Sequence, residues 1–172
     1  MESQTLPVTG TYTLDPERTT IKCDCKAMMG LLTVHGTFRL DSGQVTIAAD
    51  PAACAARAGV IAGSFASGNS TRDADVVSNK LLDAKAYPEI TFSGSGARVR
   101  DGGDGWVLAG SVTAHGVSQP VEVRVTGARA EGETARFQAI ATLDRLSFGI
   151  TKMKQRVGRT VHLTIDAVGI PD

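Results

Sequence analysis

Apolar and polar residues alternate along much of the chain with a period of two, as they do in half-buried antiparallel strands. The clearest run, at 21–27, directs Ile21, Cys23, Cys25 and Ala27 to one face and Lys22, Asp24 and Lys26 to the other. Similar alternation returns in the segments 121–125, 137–143 and 161–167. Together with shorter apolar runs, this pattern predicts some eight short strands.

Glycine-rich turns separate the predicted strands, at 41–43, 101–105, 115–116 and 131–133. Short strands joined by such turns indicate an antiparallel sandwich or barrel. Eight antiparallel strands can close into a barrel, which leaves no free edge and can enclose one small ligand. We therefore predict an all-β fold, an eight-stranded antiparallel barrel that forms a single domain over residues 1–172, with residues 1–10 as a flexible lead-in.

One segment, residues 71–83, breaks the alternation. Val77, Leu81 and Leu82 recur there at the spacing of one helix face. Asn69, Ser70 or Thr71 can cap the start of a helix, and Pro88 prevents its continuation. A helix of about 12 residues spans roughly 18 Å, enough to lie across one mouth of a barrel. It would act there either as a lid for ligand entry or as a fixed plug.

Length, charge and hydropathy narrow the class of protein. The chain has 172 residues, with 18 basic and 18 acidic side chains. This balance argues against nucleic acid as the main partner, because duplex binding usually shows a basic excess. Neither a signal peptide nor an apolar stretch of membrane-spanning length is visible in the sequence. We therefore expect a cytoplasmic protein without an integral membrane segment.

The residues that most often carry chemistry form no recognisable constellation. Cys23, Cys25 and Cys54 are too few for a disulfide framework, and the first two are expected to be buried strand residues. The three histidines, at 35, 115 and 162, are widely separated, so we predict no metal site. The sequence contains neither a Gly-x-Ser-x-Gly elbow nor a glycine-rich nucleotide loop. We predict a protein with no catalytic residues and no cofactor.

Several motifs, read in order, carry a family resemblance. They are Tyr12-Thr13-Leu14-Asp15, Val34-His35-Gly36-Thr37-Phe38, Arg72-Asp73, Leu81-Leu82-Asp83, Tyr87-Pro88-Glu89-Ile90-Thr91-Phe92 and Arg145-Leu146-Ser147-Phe148-Gly149-Ile150. Their combination and spacing over residues 10–170 resemble the YceI-like family of lipocalin-like, polyisoprenoid-binding proteins. The resemblance implies a lipocalin-like barrel around an elongated apolar tunnel. It also implies that the tunnel holds a long isoprenoid chain, either a polyprenyl lipid or the tail of an isoprenoid quinone.

The inward faces of the strands, together with the resemblance, predict an apolar ligand site. Its expected lining is Ile21, Cys23, Cys25, Val34, Phe38, Leu81, Leu82, Ile90, Phe92, Leu108, Val112, Phe148, Leu163 and Ile165. Arg72, Asp73 and Arg145 are expected at a polar rim. There they would either meet a ligand head group or pair with one another and pin the helix connection.

Some positions depart from the family pattern. Cys23 stands where an aromatic residue is usual, Asp75-Val76 replaces a common His-Leu pair, and Leu81-Leu82 replaces two phenylalanines. These changes imply a wider or differently shaped tunnel.

Two alternatives to a lipid carrier stay open at this point. One is a stress-related structural or interaction protein whose barrel is filled by its own side chains. The other is an enzyme acting on an apolar substrate through Cys23 or Cys25, which would need a depressed thiol pKa. A homodimer also stays open, since barrels with a partly apolar outer face often dimerise.

Overall fold

The fold is a closed antiparallel β-barrel, seen in a computed structural model that describes residues 6–99, 105–154 and 156–172. Residues 1–5 of the predicted lead-in and residues 100–104 of the predicted turn lie outside the described residues. The strands are β1 (Gly10–Leu14), β2 (Thr20–Ala27), β3 (Leu32–Ile47), β4 (Ala55–Ala66), β5 (Glu89–Val99), β6 (Trp106–Ala114), β7 (Val117–Glu131), β8 (Thr134–Asp144) and β9 (Val157–Pro171).

The nine described strands occupy eight positions around the barrel, which confirms the predicted architecture. Strands β1 and β2 share one position between β3 and β9. β1 pairs with β3 at residues 44–47 and with β9 at 169–171, while β2 pairs with the opposite halves of the same two strands. Pairing of β3 with β4 closes the barrel. Closure satisfies the backbone groups that an open sheet would leave at its edges.

The helix α1 (Ser70–Val77) lies in the connection between β4 and β5. Asn69 is the N-cap, and its side chain accepts a hydrogen bond from the Arg72 backbone N–H at 3.0 Å. The helix is shorter than predicted and ends before Leu81, because Ser78 leaves the helical conformation and the chain continues in tight turns. In the part of the chain that the structure describes, no helix is long and apolar enough to cross a bilayer.

Two apolar clusters fill opposite parts of the barrel. The first includes Leu81, Phe148 and Ile150, at the end that carries α1 and the 3-10 turn Arg145–Phe148. The second includes Tyr12, Leu40 and Phe137, toward the other end, where the Tyr12 and Phe137 rings meet edge to face at 5.9 Å. The buried side chains of the described residues thus fall into two groups along the barrel.

Candidate ligand-binding site

A cavity of about 480 Å³ occupies the interior of the barrel. This volume lies in the range typical of small-molecule sites, roughly 300–1,000 Å³. Aliphatic and aromatic side chains from β2 to β9 form most of its wall, including Val60, Trp106, Val123, Phe137 and Ile165. The barrel therefore encloses an apolar space that its own side chains leave open.

The depth of the cavity follows from the strands that line it. On β8 the lining residues run from Phe137 to Leu143, and on β6 from Trp106 to Val112. Both stretches advance six residues along a strand, or about 20 Å at the usual rise of roughly 3.3 Å per residue. With a strand tilt of about 40°, the lined length is about 15 Å along the barrel axis. The cavity is thus longer than a single side-chain layer.

The cavity reaches the surface at one end of the barrel, which we call the mouth. Leu6, Pro7, residues 45–49 and Pro51 line it there, next to Cys54 and Ala55. Among the described residues, none of those that line the cavity comes from α1 or from 144–156. We call this second end, with α1 and the turn Arg145–Phe148, the closed end.

Half of the predicted lining residues border the cavity: Ile21, Ile90, Phe92, Leu108, Val112, Leu163 and Ile165. Strand pairing brings four of them together in two pairs, since Ile21 pairs with Ile165 on β9 and Phe92 pairs with Val112 on β6. Contact of these side chains with a ligand stays a prediction, but the structure places them around one space.

The other seven predicted lining residues do not border the cavity: Cys23, Cys25, Val34, Phe38, Leu81, Leu82 and Phe148. The ring of Phe65 lies over Gly36, where a Cβ would come within 2.2 Å of Phe65 Cε2. Phe65 also packs against Phe38, with ring centroids 5.4 Å apart. Because Cys23 pairs with Gly36 on β3, this ring lies over the part of the sheet next to Cys23. Leu81 and Phe148 are buried in the core of the closed end, with Leu82 packed against them.

Burial governs the chemistry of the two strand cysteines. It raises the pKa of the Cys23 thiol to about 12, and the neighbouring Asp24 charge adds to the effect. Burial likewise raises the pKa of the Cys25 thiol, against a smaller opposing effect of the Arg145 charge. Since the thiolate is the nucleophile, both thiols are poorly suited to attack a substrate at neutral pH.

Arg145 is buried at the closed end, where it donates hydrogen bonds to backbone carbonyls. Its guanidinium donates to the carbonyls of Gly158, Ile150, Lys152 and Val157 at 2.7–2.9 Å. Burial lowers the pKa of Arg145 from its ordinary value. The side chain thereby holds the segment between the turn Arg145–Phe148 and β9 in place, a structural use of a residue expected at a polar rim.

The other two residues of the expected rim also lie at the closed end. Asp73 accepts hydrogen bonds from the Ser67 backbone N–H at 3.0 Å and from Ser67 Oγ at 2.6 Å. It thus ties α1 to the end of β4, as the structural alternative expected. The partner differs from the expected one, because the ion pairs of the described residues do not include Arg72 with Asp73.

Sequence reasoning missed much of the cavity wall. Val121, Val123, Val125, Phe137 and Ala139 all line it. Their alternation was visible in the sequence and identified the strands, so the same signal would have found these residues. Several residues of the mouth, by contrast, including Ala48, Ala49 and Cys54, lie outside the strands beside the 3-10 turn Pro51–Ala53, where no periodicity marks an inward face.

The three histidines lie apart, in unrelated contacts. His35 Nδ1 contacts Asp24 at 2.5 Å, His115 Nδ1 contacts the Phe148 carbonyl at 3.2 Å, and His162 contacts Thr142. The described residues contain no group of three or more His, Cys, Asp or Glu side chains arranged to hold a metal ion.

The barrel, its cavity and its ordered motifs agree with a known family. The model of the YceI-like domain matches residues 12–169, nearly the whole chain. The chain belongs to the YceI-like family. A UPF0312 protein of Pseudomonas putida strain GB-1 is 32% identical over 171 residues, an alignment that covers 92% of this chain and 85% of that relative. A UPF0312 protein of Yersinia pestis strain Pestoides F is 26% identical and covers 83% of this YceI-like chain.

Solved structures share the YceI-like fold. BcnA of Burkholderia cenocepacia superposes with a TM-score of 0.79 at 24% identity, covering 90% of this chain and 98% of that one. A polyisoprenoid-binding domain from Saccharophagus degradans superposes with a TM-score of 0.64 at 11% identity, covering 94% of this chain and 98% of that one. At these identities the superpositions establish the fold.

Proposed function

We propose that this protein binds a long apolar isoprenoid chain inside its barrel and carries out no catalysis. The observation that carries this proposal is the apolar cavity of about 480 Å³, open at the mouth and closed at the α1 end. Membership of the YceI-like family supports the choice of ligand, since a structural neighbour is described as a polyisoprenoid-binding domain.

The shape and chemistry of the wall suit a chain better than a compact polar molecule. The lined length of about 15 Å along the axis exceeds the space of one small ring. A bound chain gains up to about 0.8 kcal/mol for each CH₂ group removed from water. A polar substrate, in contrast, would lose hydration without regaining hydrogen bonds along most of this wall.

The mouth sets how such a chain would enter. The polar or ionised head would remain at the mouth, near Thr46, Pro51 and Ala55. The tail would extend inward past Val60 and Trp106. In this orientation Arg145 and Asp73 would not contact the ligand, because both lie at the closed end and are already hydrogen-bonded within the protein.

The two alternatives weighed from the sequence receive less support. A filled barrel predicts no cavity, whereas the structure has one of about 480 Å³. An enzyme built on Cys23 or Cys25 needs an activated thiol, whereas burial raises the pKa of both thiols.

Mass spectrometry tests the proposal directly. Gently purified protein is analysed intact under native conditions, and an organic extract of the same sample is analysed in parallel. We expect an isoprenoid mass in stoichiometric amount, or uptake of an added polyprenol by lipid-free protein. A protein that is empty on purification and takes up no added polyprenol would refute the proposal and restore the filled-barrel alternative.

A further inference from the structure

The turn between β2 and β3 exposes four apolar side chains at the closed end of the barrel. Met28, Met29, Leu31 and Leu32 are 57%, 93%, 83% and 47% exposed. Single exposed apolar residues are ordinary, but several together mark a contact surface. We call residues 28–32 the apolar tip.

The backbone conformation of the apolar tip does not favour the residue types found there. Met28 and Met29 have φ angles of 51° and 58°, in the left-handed region. They are the central residues of a turn in which the Gly30 N–H donates to the Ala27 carbonyl at 3.1 Å. A turn with two positive φ angles strongly favours Asn-Gly, and other residues are strained there. Two methionines therefore occupy these positions against the local preference, which suggests that their side chains serve a contact outside the chain.

Four basic residues belong to the segments next to the apolar tip: Lys26 lies on β2, which leads into it, and Lys152, Lys154 and Arg156 precede β9. The Met28 N–H donates to the Arg156 carbonyl at 2.9 Å, so Arg156 lies directly beside the tip. Lys26 Nζ donates to Thr33 Oγ1, and Lys152 Nζ donates to the Asn79 carbonyl. Both acceptors are neutral, so the two lysines keep an unneutralised positive charge. None of the four basic residues takes part in an ion pair between described residues.

Nearby acidic residues do not cancel this charge. Asp75 forms an ion pair with Lys80 at 3.1 Å, and Asp24 contacts His35. The whole chain has zero formal net charge, yet Lys26 and Arg156 beside the tip form no ion pair with an acidic side chain among the described residues. The closed end therefore combines an exposed apolar tip with a local positive charge.

We propose that the apolar tip docks on an anionic phospholipid bilayer. The methionine and leucine side chains enter the interfacial region, while the four basic side chains contact lipid head groups. Membrane-surface anchors combine these two features, because apolar burial and attraction to anionic lipid add together. A protein partner would be expected to offer the tip an apolar groove, but it gives no equal reason for unpaired basic residues beside it. Docking of the tip does not depend on what the cavity holds.

Vesicle flotation tests this proposal. Wild-type protein is mixed with vesicles of phosphatidylcholine and phosphatidylglycerol, and in parallel with vesicles of phosphatidylcholine alone. We expect binding to the anionic vesicles that weakens as salt is added. Replacing Lys154 and Arg156 with Gln should reduce binding about 25-fold, from roughly fivefold per cation.

A double variant separates the apolar contact from folding. Met28→Asn with Met29→Gly supplies the residues that this turn prefers, so thermal stability should stay equal or rise. Vesicle binding should fall more than about tenfold as the apolar contact is lost. Val8→Asn is the matched control, because Val8 is 76% exposed but lies near the mouth, and it should bind as the wild type does.

Two results would overturn the proposal. One is wild-type protein that stays unbound with anionic vesicles, which would leave a protein as the partner of the tip. The other is a stable Met28→Asn, Met29→Gly variant that floats with anionic vesicles as the wild type does.

Discussion

Substituting Ala139 with Phe tests whether the cavity is open and whether a ligand binds in it. Ala139 lies on β8 between the cavity-lining residues Phe137 and Ala141, and it pairs with Val125 and Ile165. Its small side chain borders the open space. A phenyl ring at this position would therefore extend into the cavity.

The expected sign of the stability change depends on whether the space is empty. In the open barrel the new ring becomes buried, which stabilises ligand-free protein by up to about 1.5–3 kcal/mol. In a filled barrel the same ring overpacks the core and costs roughly 1–3 kcal/mol. For a domain of this size, 1 kcal/mol shifts the melting temperature by about 2–4 °C. Thermal melting of lipid-free Ala139→Phe should therefore show an increase of a few degrees.

Ligand binding should change in the opposite direction. A ring that displaces about four CH₂ groups of a bound chain removes roughly 3 kcal/mol, or a factor of about 100 in the dissociation constant. Polyprenol titration, followed by native mass spectrometry, measures this loss. Ile140→Phe is the control, because Ile140 is the next residue on β8 and is 37% exposed on the outer face. A lower melting temperature for Ala139→Phe would contradict the open cavity, and unchanged binding would contradict the site.

Further substitutions and titrations test the closed end. Arg145→Lys should lower the free energy of unfolding by about 3 kcal/mol in urea denaturation, because an ammonium group cannot reproduce the contacts to four carbonyls. An unchanged unfolding curve would contradict the structural role of Arg145. Gly36→Ala should destabilise by roughly 1–3 kcal/mol through its clash with Phe65, and added Phe65→Leu should recover most of that loss in a thermal-melt double-mutant cycle. Iodoacetamide should alkylate Cys23 far more slowly in native than in unfolded protein at pH 8, as mass spectrometry would show; equal rates would contradict its burial. Because the pKa of Cys23 is raised from 9.0 to about 12, the stability its neutral thiol contributes should be complete below pH 9 and decline as pH rises toward 12.

The strands and their inward faces could be predicted from the sequence because a strand reverses its side-chain direction at every residue. Alternation at 21–27 and 161–167 was enough to place Ile21 and Ile165 inside the barrel. Local chemistry also marked the start of α1, where Asn69 caps the helix. These features depend on neighbours in the chain, so the chain alone carries them.

Only the tertiary structure decided which end of the barrel is closed. Periodicity gives the face of a residue but says nothing of what lies opposite it. Cys23 faces inward as predicted, yet Phe65, which lies 42 positions along the chain, occupies the space beside it because Gly36 has no side chain. Arg145 likewise meets the carbonyls of Ile150 and Lys152, in a segment without periodicity. Such contacts join different segments of the chain, and they exist only once the barrel has closed.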